Sequence, residues 1–358
     1  MTKPSTLNLP GRLGDPSHTL ATDTRAKPSM VSALSEFGFE QAAAPGPVTK
    51  DSPFTDIIEF LSAAEAGYNT VFESWFAGLP PIEQVSRRKV TIQGSDGNEI
   101  ELHIHTPTEQ TTALPAILHL HGGCMVLRDA TDCANMHWRD SLAAEGLVVV
   151  GVEFRNAGGN RGHHAFPSGL NDCMSALRWL NANKAQLNTS KVVVSGDSGG
   201  GNLSLALTLK ATQDECIDLI DGTYALCPYI SNAWLDDDSE LASLIENENY
   251  MLNATMLGAF ARAYDPEHKN ATNPLCWPLH ANAAQLTDLP PHAISVNELD
   301  PLRDEGLAYF RKLQNAGVSS TCRTVNGTCH AGDVLLPKAL PEDFSATLKD
   351  IARFAHGL

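Results

Sequence analysis

The residues Gly196-Asp197-Ser198-Gly199-Gly200 place a serine between an apolar run, Lys191-Val192-Val193-Val194-Ser195, and the helix formers Asn202 to Leu209. A strand-to-helix turn of this kind holds a serine in a sharp bend with its hydroxyl presented for attack. Glycines at 196, 199, 200 and 201 remove side chains where such a turn would clash and let neighbouring backbone approach closely. The turn also aims a helix N-terminus at the reacting centre, where its partial positive charge favours an alkoxide and a developing oxyanion. A serine hydroxyl is a weak nucleophile until a positioned imidazole takes its proton. The chemistry therefore needs a base, an acid that orients it, and donors for the oxyanion.

Residues of those types occur downstream and upstream. The strand-like run Ala293 to Asn297 leads into Glu298-Leu299-Asp300-Pro301-Leu302-Arg303-Asp304-Glu305-Gly306, and His330 follows a last short strand. Pro115 to Leu120 reads as a strand that runs into His121-Gly122-Gly123-Cys124, a glycine turn of the sort that supplies oxyanion amides. The amides of Gly122 and Gly123 would there meet that of Gly199. His330 would take the serine proton and return it to the leaving alkoxide, while a carboxylate holds its tautomer. Glu298 and Asp300 share a face if the strand alternates, so spacing alone leaves both open as that carboxylate. Asp304 is expected to cap or orient the following helix, and Asp197 to hold loops rather than react.

Four separated blocks resemble the hormone-sensitive lipase family of esterases, the bacterial family IV lipolytic enzymes. They are His121 to Gly123, Gly196 to Gly200, Asp300 to Gly306, and Phe166-Pro167-Ser168-Gly169-Leu170-Asn171-Asp172-Cys173. The last follows Val152-Glu153-Phe154-Arg155-Asn156-Ala157, similar to the family's Asp-Tyr-Arg-Leu-Ala strand end, and the resemblance runs from about Lys89 to the C-terminus. It implies an α/β-hydrolase fold: an eight-stranded, mostly parallel sheet with helices on both faces and a helical cap. It also implies a triad of Ser198, Asp300 and His330, in the chain order that fold uses, and an oxyanion hole from Gly122, Gly123 and Gly199. The implied activity is hydrolysis of small, short-chain acyl esters through an acyl-serine, with a small-molecule ester as ligand, no cofactor and no metal. Deacetylase, lactonase, and carbamate or amide hydrolase activities use the same chemistry with different pocket walls. A receptor like those for gibberellin lacks a working triad, and the related isoflavanone dehydratases typically carry threonine at the nucleophile. The serine and its complete set of partners favour hydrolysis over either. Homodimers are common in the family, which makes a second copy of the chain a candidate partner.

The chain departs from the family pattern at two places. Cys124, followed by Met125, stands where the third loop glycine is usual, and Cys329-His330-Ala331-Gly332-Asp333 replaces the usual His-Gly-Phe. Cys124 is expected chiefly as a small buried apolar residue, with a thiol sensitive to oxidants as the alternative. Cys124, Met125, Asp197 and Trp234 are the candidate pocket residues.

Lys plus Arg number 25 against 42 for Asp plus Glu, a net charge of −17, which argues against nonspecific binding to nucleic acid or anionic membranes. Arg128, Arg155 and Arg161 are the cations near the motifs that would favour an acidic substrate, and Arg155 is expected in a strand-end ion pair. Eight cysteines show no Cys-x-x-Cys spacing, Met1 to Ser29 lacks an apolar leader segment, and no run approaches a membrane span. Reduced thiols in a cytoplasmic protein, with no membrane insertion, are the expectation. His103 with His105, and His119 with His121, alternate on strand-like stretches without an acidic or cysteine partner at metal spacing. His121 is expected to orient the oxyanion loop, and His163-His164 either to border the site or to lie in solvent.

Residues 1–47, rich in Pro, Ser, Thr and Ala, read as a flexible or extended arm, and 48–85 as N-terminal cap helices whose aromatic stretch from Tyr68 to Phe76 is placed to cover the site. Residues 86–229 and 290–358 form the expected catalytic domain. It opens on a hairpin at Ser95-Asp96-Gly97-Asn98 and continues as strands alternating with helices. Residues 230–289, acidic at Asp236-Asp237-Asp238 and carrying several aromatic residues, read as an inserted cap.

Overall fold

Valine runs such as Val148-Val149-Val150 and Val192-Val193-Val194 are fully buried, as strands covered by helices on two faces must be. The computed structural model describes residues 9–42, 46–235 and 240–358. Among them, eight strands form one sheet: β1 (Val85–Gln93), β2 (Glu99–Pro107), β3 (Leu114–Leu120), β4 (Val148–Glu153), β5 (Thr189–Asp197), β6 (Gly222–Leu226), β7 (His292–Leu299) and β8 (Ser320–Cys329). Their order is β1-β2-β4-β3-β5-β6-β7-β8. β2 pairs antiparallel with β1 and β4, and all other pairings are parallel.

The register sends alternate residues to opposite cores. Ala116, Leu118, Val150 and Val194 face the helices Ser168–Ala182 and Gly199–Gln213, which contribute Leu177, Leu180, Leu203 and Leu207. Ile117, Val149 and Val193 face the helices Cys133–Ala144 and Pro341–His356 through Trp138, Leu142, Leu348 and Ile351. A third cluster seats Tyr309 and Leu313 of the helix Arg303–Asn315 on Ile294 and Val296 of β7. The C-terminal ends of β3, β5 and β7, with the end of β8, lead into His121, Ser198, Asp300 and His330. Crevices outside such strand ends are where open α/β sheets bind ligands.

The segments outside the sheet differ from expectation. Within 9–42 the chain is docked rather than extended: it forms the helices Gly11–Gly14 and Pro28–Ser35, and Leu20, Met30 and Leu34 are buried in the cluster that holds Trp75 and Leu336. Its polar and proline-rich composition outweighs these few apolar residues in a sequence reading, although they anchor it. Lys27 pairs with Asp343 at 2.6 Å, and Lys27 N–H donates to the Gly327 carbonyl at 3.1 Å. In place of several cap helices, one helix spans Phe54–Phe76, because good helix formers bridge the two apolar stretches. The insertion between β6 and β7 contains the helices Ser243–Glu246 and Ala254–Tyr264, and the run Asp236 to Asp238 lies outside the described residues. Among the described residues no helix is long and apolar enough to cross a membrane.

Candidate active site

Ser198 joins β5 to the helix Gly199–Gln213 with φ 55° and ψ −116°, a left-handed conformation that a residue with a β-carbon rarely adopts. Backbone hydrogen bonds impose it. Its N–H donates to the Leu226 carbonyl at 2.9 Å, and its carbonyl accepts from Asn202 N at 3.0 Å and Tyr229 N at 3.2 Å. Strained residues persist where their surroundings over-determine them, and such residues cluster at reacting sites. Glycine is required behind the serine, since a β-carbon on Gly200 would run into the Leu120 carbonyl oxygen.

The loop after β3 lies against this turn. A β-carbon on Gly199 would sit 2.5 Å from Met125 N and 2.7 Å from Cys124 N, so the loop backbone abuts the start of the helix. The loop is a left-handed turn, with φ 108° at Gly123, 58° at Cys124 and 62° at Met125. It is closed by Val126 and Leu127 N–H groups donating to the Gly123 carbonyl, both at 2.9 Å. Gly199 opens a helix, so its N–H has no acceptor one turn back. His121 buttresses the turn as expected. Its Nδ1 donates to the Gly122 carbonyl at 2.8 Å, and its ring stacks on Phe154 at 4.2 Å. Burial pushes this imidazole down to about 4, which keeps it neutral.

The candidate acid and base meet across the ends of β7 and β8. His330 Nδ1 donates to Asp300 Oδ2 at 2.7 Å, and Asp300, wholly buried, accepts from Leu302 N at 2.8 Å through Oδ1. Burial alone would push the imidazole pKa down. The Asp300 charge and hydrogen bond, with the charges of Asp197 and Asp333, reverse this and hold it above the ordinary histidine value. The departure around His330 is compatible with this geometry. Ala331 turns left-handed at φ 52°, its N–H donates to Asn297 Oδ1 at 3.1 Å, and Asn297 Nδ2 donates to both Thr328 Oγ1 and Asp333 Oδ1 at 2.8 Å.

Glu298 lies where the pairing with β8 jumps from Asn297 opposite Val325 to Leu299 opposite Cys329, the two extra residues falling on β8. Its Oε2 accepts from Gly327 N at 2.7 Å. Asp304 does not cap its own helix, whose N-cap position is Leu302. It accepts from Ser243 N at 2.8 Å and so fastens the insertion to the residues after Asp300.

Ser198, Gly123, Asp197 and His330 line one cavity of about 90 Å³. Most of its other walls come from three segments, Phe39 of the N-terminal stretch, Tyr68, Phe72 and Trp75 of the long helix, and Met251 and Phe260 of the insertion, with Leu127, Arg128 and Leu335 completing it. Cys124 and Asp197 line it as expected, but Met125 and Trp234 do not. Met125 is buried and its carbonyl accepts from Ala157 N at 3.0 Å. Trp234 stacks on Tyr229 at 4.1 Å with its edge toward Trp277, and so belongs to an aromatic core of the insertion. Burial pushes the Cys124 thiol up to about 12, so no appreciable thiolate exists near neutral pH and the residue acts as a small apolar wall. Asp197 is buried beside Gly122, where a β-carbon would land on its Oδ2, and burial raises its pKa. Sequence reading missed Phe39, Met251 and Phe260 as walls, because only tertiary packing brings them together.

Other charged candidates have structural partners. Arg155 pairs with Asp172 at 2.9 Å and Asp96 at 2.6 Å, the expected ion pair, and Arg161 lies 3.2 Å from Glu153. His105 Nδ1 contacts Asp140 at 2.7 Å in a buried layer with Arg139, and His163 packs on Phe54 at 4.9 Å, away from the cavity. Among the described residues, Cys227, Asp300 and His330 form a group with metal-ligand spacing. Its imidazole Nδ1 is already engaged by Asp300, and burial holds the Cys227 thiol protonated, so these residues fit a hydrogen-bonded pair better than a metal.

Residues 117–332, more than half of the chain, match the family described by its alpha/beta hydrolase fold. A solved brefeldin A esterase, described as a bacterial homologue of human hormone-sensitive lipase, is 41% identical with a TM-score of 0.95, covering 97% of this chain and 98% of its own. The esterase Est22 is 32% identical with a TM-score of 0.84, covering 95% and 100%. An arylesterase of Saccharolobus solfataricus is 30% identical over 71% of this chain and 80% of its own, and the carboxylesterase NlhH of Mycobacterium tuberculosis is 29% identical over 78% and 85%. The chain belongs to the alpha/beta hydrolase family, in its hormone-sensitive lipase branch. Within that class it is a carboxylic ester hydrolase.

Proposed function

We propose that the enzyme hydrolyses small, short-chain acyl esters through an acyl-serine on Ser198, with His330 as base and Asp300 as its orienting carboxylate. The observation that carries this reading is the buried 2.7 Å hydrogen bond from His330 to Asp300, with His330 and Ser198 lining one cavity. His330 accepts the Ser198 proton as the hydroxyl attacks, and its cationic form is stabilised by Asp300. The Gly122, Gly123 and Gly199 N–H groups receive the oxyanion, and His330 then protonates the departing alkoxide. Water repeats the sequence on the acyl-enzyme. The cavity beside Ser198, about 90 Å³ and walled by bulky side chains such as Phe72, Trp75 and Phe260, supports a short acyl group. A p-nitrophenyl ester series from acetate to decanoate, run beside Ser198→Ala, tests the proposal. Activity that falls with chain length and vanishes in the variant is expected. A folded wild type without turnover, or a variant that retains it, would sink the mechanism.

A further inference from the structure

The cavity is walled mainly by aromatic and aliphatic side chains, and one cation enters it: Arg128. This residue has φ 74°, a conformation costly for a long side chain. Its backbone is pinned there, with its N–H donating to Glu65 Oε1 at 2.7 Å and its carbonyl accepting from Asn156 Nδ2 at 2.5 Å. The guanidinium is fixed as well. Nε and Nη2 grip Asp132 at 2.8 and 3.1 Å, and the group lies 4.5 Å over the ring of Phe72, itself a cavity wall. Among the described residues no acceptor meets Nη1. Nη1 is not among the fully buried unpaired atoms, so it stays open to an incoming acceptor, and a rigid donor on a largely apolar wall is a recognition element.

The charges around it define the acceptor. Asp132 already neutralises Arg128, Asp197 borders the same cavity, and the chain carries a net charge of −17. A substrate carboxylate would face Asp197 with no surplus positive charge, whereas an uncharged oxygen would accept from Nη1 without that opposition.

We propose that Arg128 selects esters carrying a neutral hydroxyl or ketone oxygen beyond the scissile carboxyl, which makes oxygen-substituted short-chain esters the preferred substrate class. This rests on the esterase mechanism proposed above. The test compares kcat/KM for ethyl butyrate with that for ethyl 3-hydroxybutyrate and ethyl acetoacetate, substituted on the acid side, and for 2-hydroxyethyl butyrate, substituted on the alcohol side. At least one of the substituted esters is expected to exceed ethyl butyrate by about tenfold or more in wild type, and that ratio is expected to collapse toward one in Arg128→Met. Wild-type ratios near one for all three, or a ratio that survives in Arg128→Met, would overturn the assignment. So would a preference for monoethyl succinate that depends on Arg128, since the site would then read an anion. The wild-type ratios need no variant and so stand even if Arg128→Met fails to fold. Turnover of p-nitrophenyl acetate by wild type separates the two claims: with it present, flat ratios reject only the Arg128 assignment, and without it both fall.

Discussion

The floor and the roof of the cavity are built by different means. The floor consists of short turns at the strand ends, where backbone hydrogen bonds hold Ser198, Ala331 and the loop from Gly123 to Met125 in left-handed conformations. The roof consists of side chains from three segments far apart in sequence, Phe39, Phe72 with Trp75, and Phe260, meeting only through packing. Chemistry needs fixed donors and a fixed base, which backbone geometry supplies. Selectivity needs shape, which side chains supply and can change without disturbing the floor.

This contrast can be broken most severely at the nucleophile. Ser198→Ala is expected to lower kcat by roughly 10⁵- to 10⁶-fold, and Asp300→Asn by roughly 10⁴-fold, in a p-nitrophenyl acetate assay with the fold intact by circular dichroism. Gly122→Ala attacks the floor through the backbone, since its methyl would meet Asp197 Oδ2 and displace a proposed oxyanion donor. A loss of roughly 10²- to 10³-fold, mostly in kcat, is expected. A roof substitution should behave otherwise. Phe260→Ala widens the cavity and is expected to raise the decanoate-to-acetate ratio of kcat/KM by about tenfold while costing roughly 3–5 kcal/mol of stability in a denaturant titration. If it instead abolished acetate turnover while remaining folded, the separation of floor from roof would fail.

The pH profile sharpens the description of the floor. As the proposed base His330 must be neutral, so kcat/KM is expected to fall as pH drops through its pKa, which lies above the ordinary histidine value. Asp197 is one of the negative neighbours that raise it, so Asp197→Asn should move the acid limb to lower pH, by an effect of less than about tenfold in rate near neutrality. A limb that moved to higher pH would show that Asp197 does not act through charge on His330. The smallest effect belongs to Glu298→Gln, expected to leave kcat/KM within about twofold because Glu298 accepts from Gly327 N, away from Asp300.

Legibility in the sequence followed the same division. The floor was readable because a strand-to-helix turn, a glycine loop and a strand end each demand particular residue types over a few neighbouring positions: Ser198, Gly123 and His330 line the cavity, and Asp300 bonds His330 behind it. Glu298 and Asp300 could not be separated by alternation, since the deciding feature is which tertiary partner each meets: Gly327 N for Glu298 and His330 for Asp300. The Asn297 brace of the His330 loop left no signal, because an asparagine in a strand looks like any polar strand residue. The alternating strands and helices gave the sheet, but the docking of residues 9–42 was hidden by composition, although Leu20, Met30 and Leu34 are buried. Trp234 illustrates the limit for the roof: an aromatic residue in the insertion is equally suited to its core or to the pocket, and stacking on Tyr229 decides it.

The central claim, that acyl transfer runs through Ser198 with His330 and Asp300 behind it, is tested most directly by trapping the intermediate. Wild-type enzyme mixed with p-nitrophenyl acetate and quenched in acid should carry at most one acetyl group per chain, and peptide mass spectrometry should place it on the peptide containing Ser198. Asp300→Asn should form the same adduct far more slowly. An adduct on another residue, or rapid turnover by Ser198→Ala with no adduct, would contradict the account.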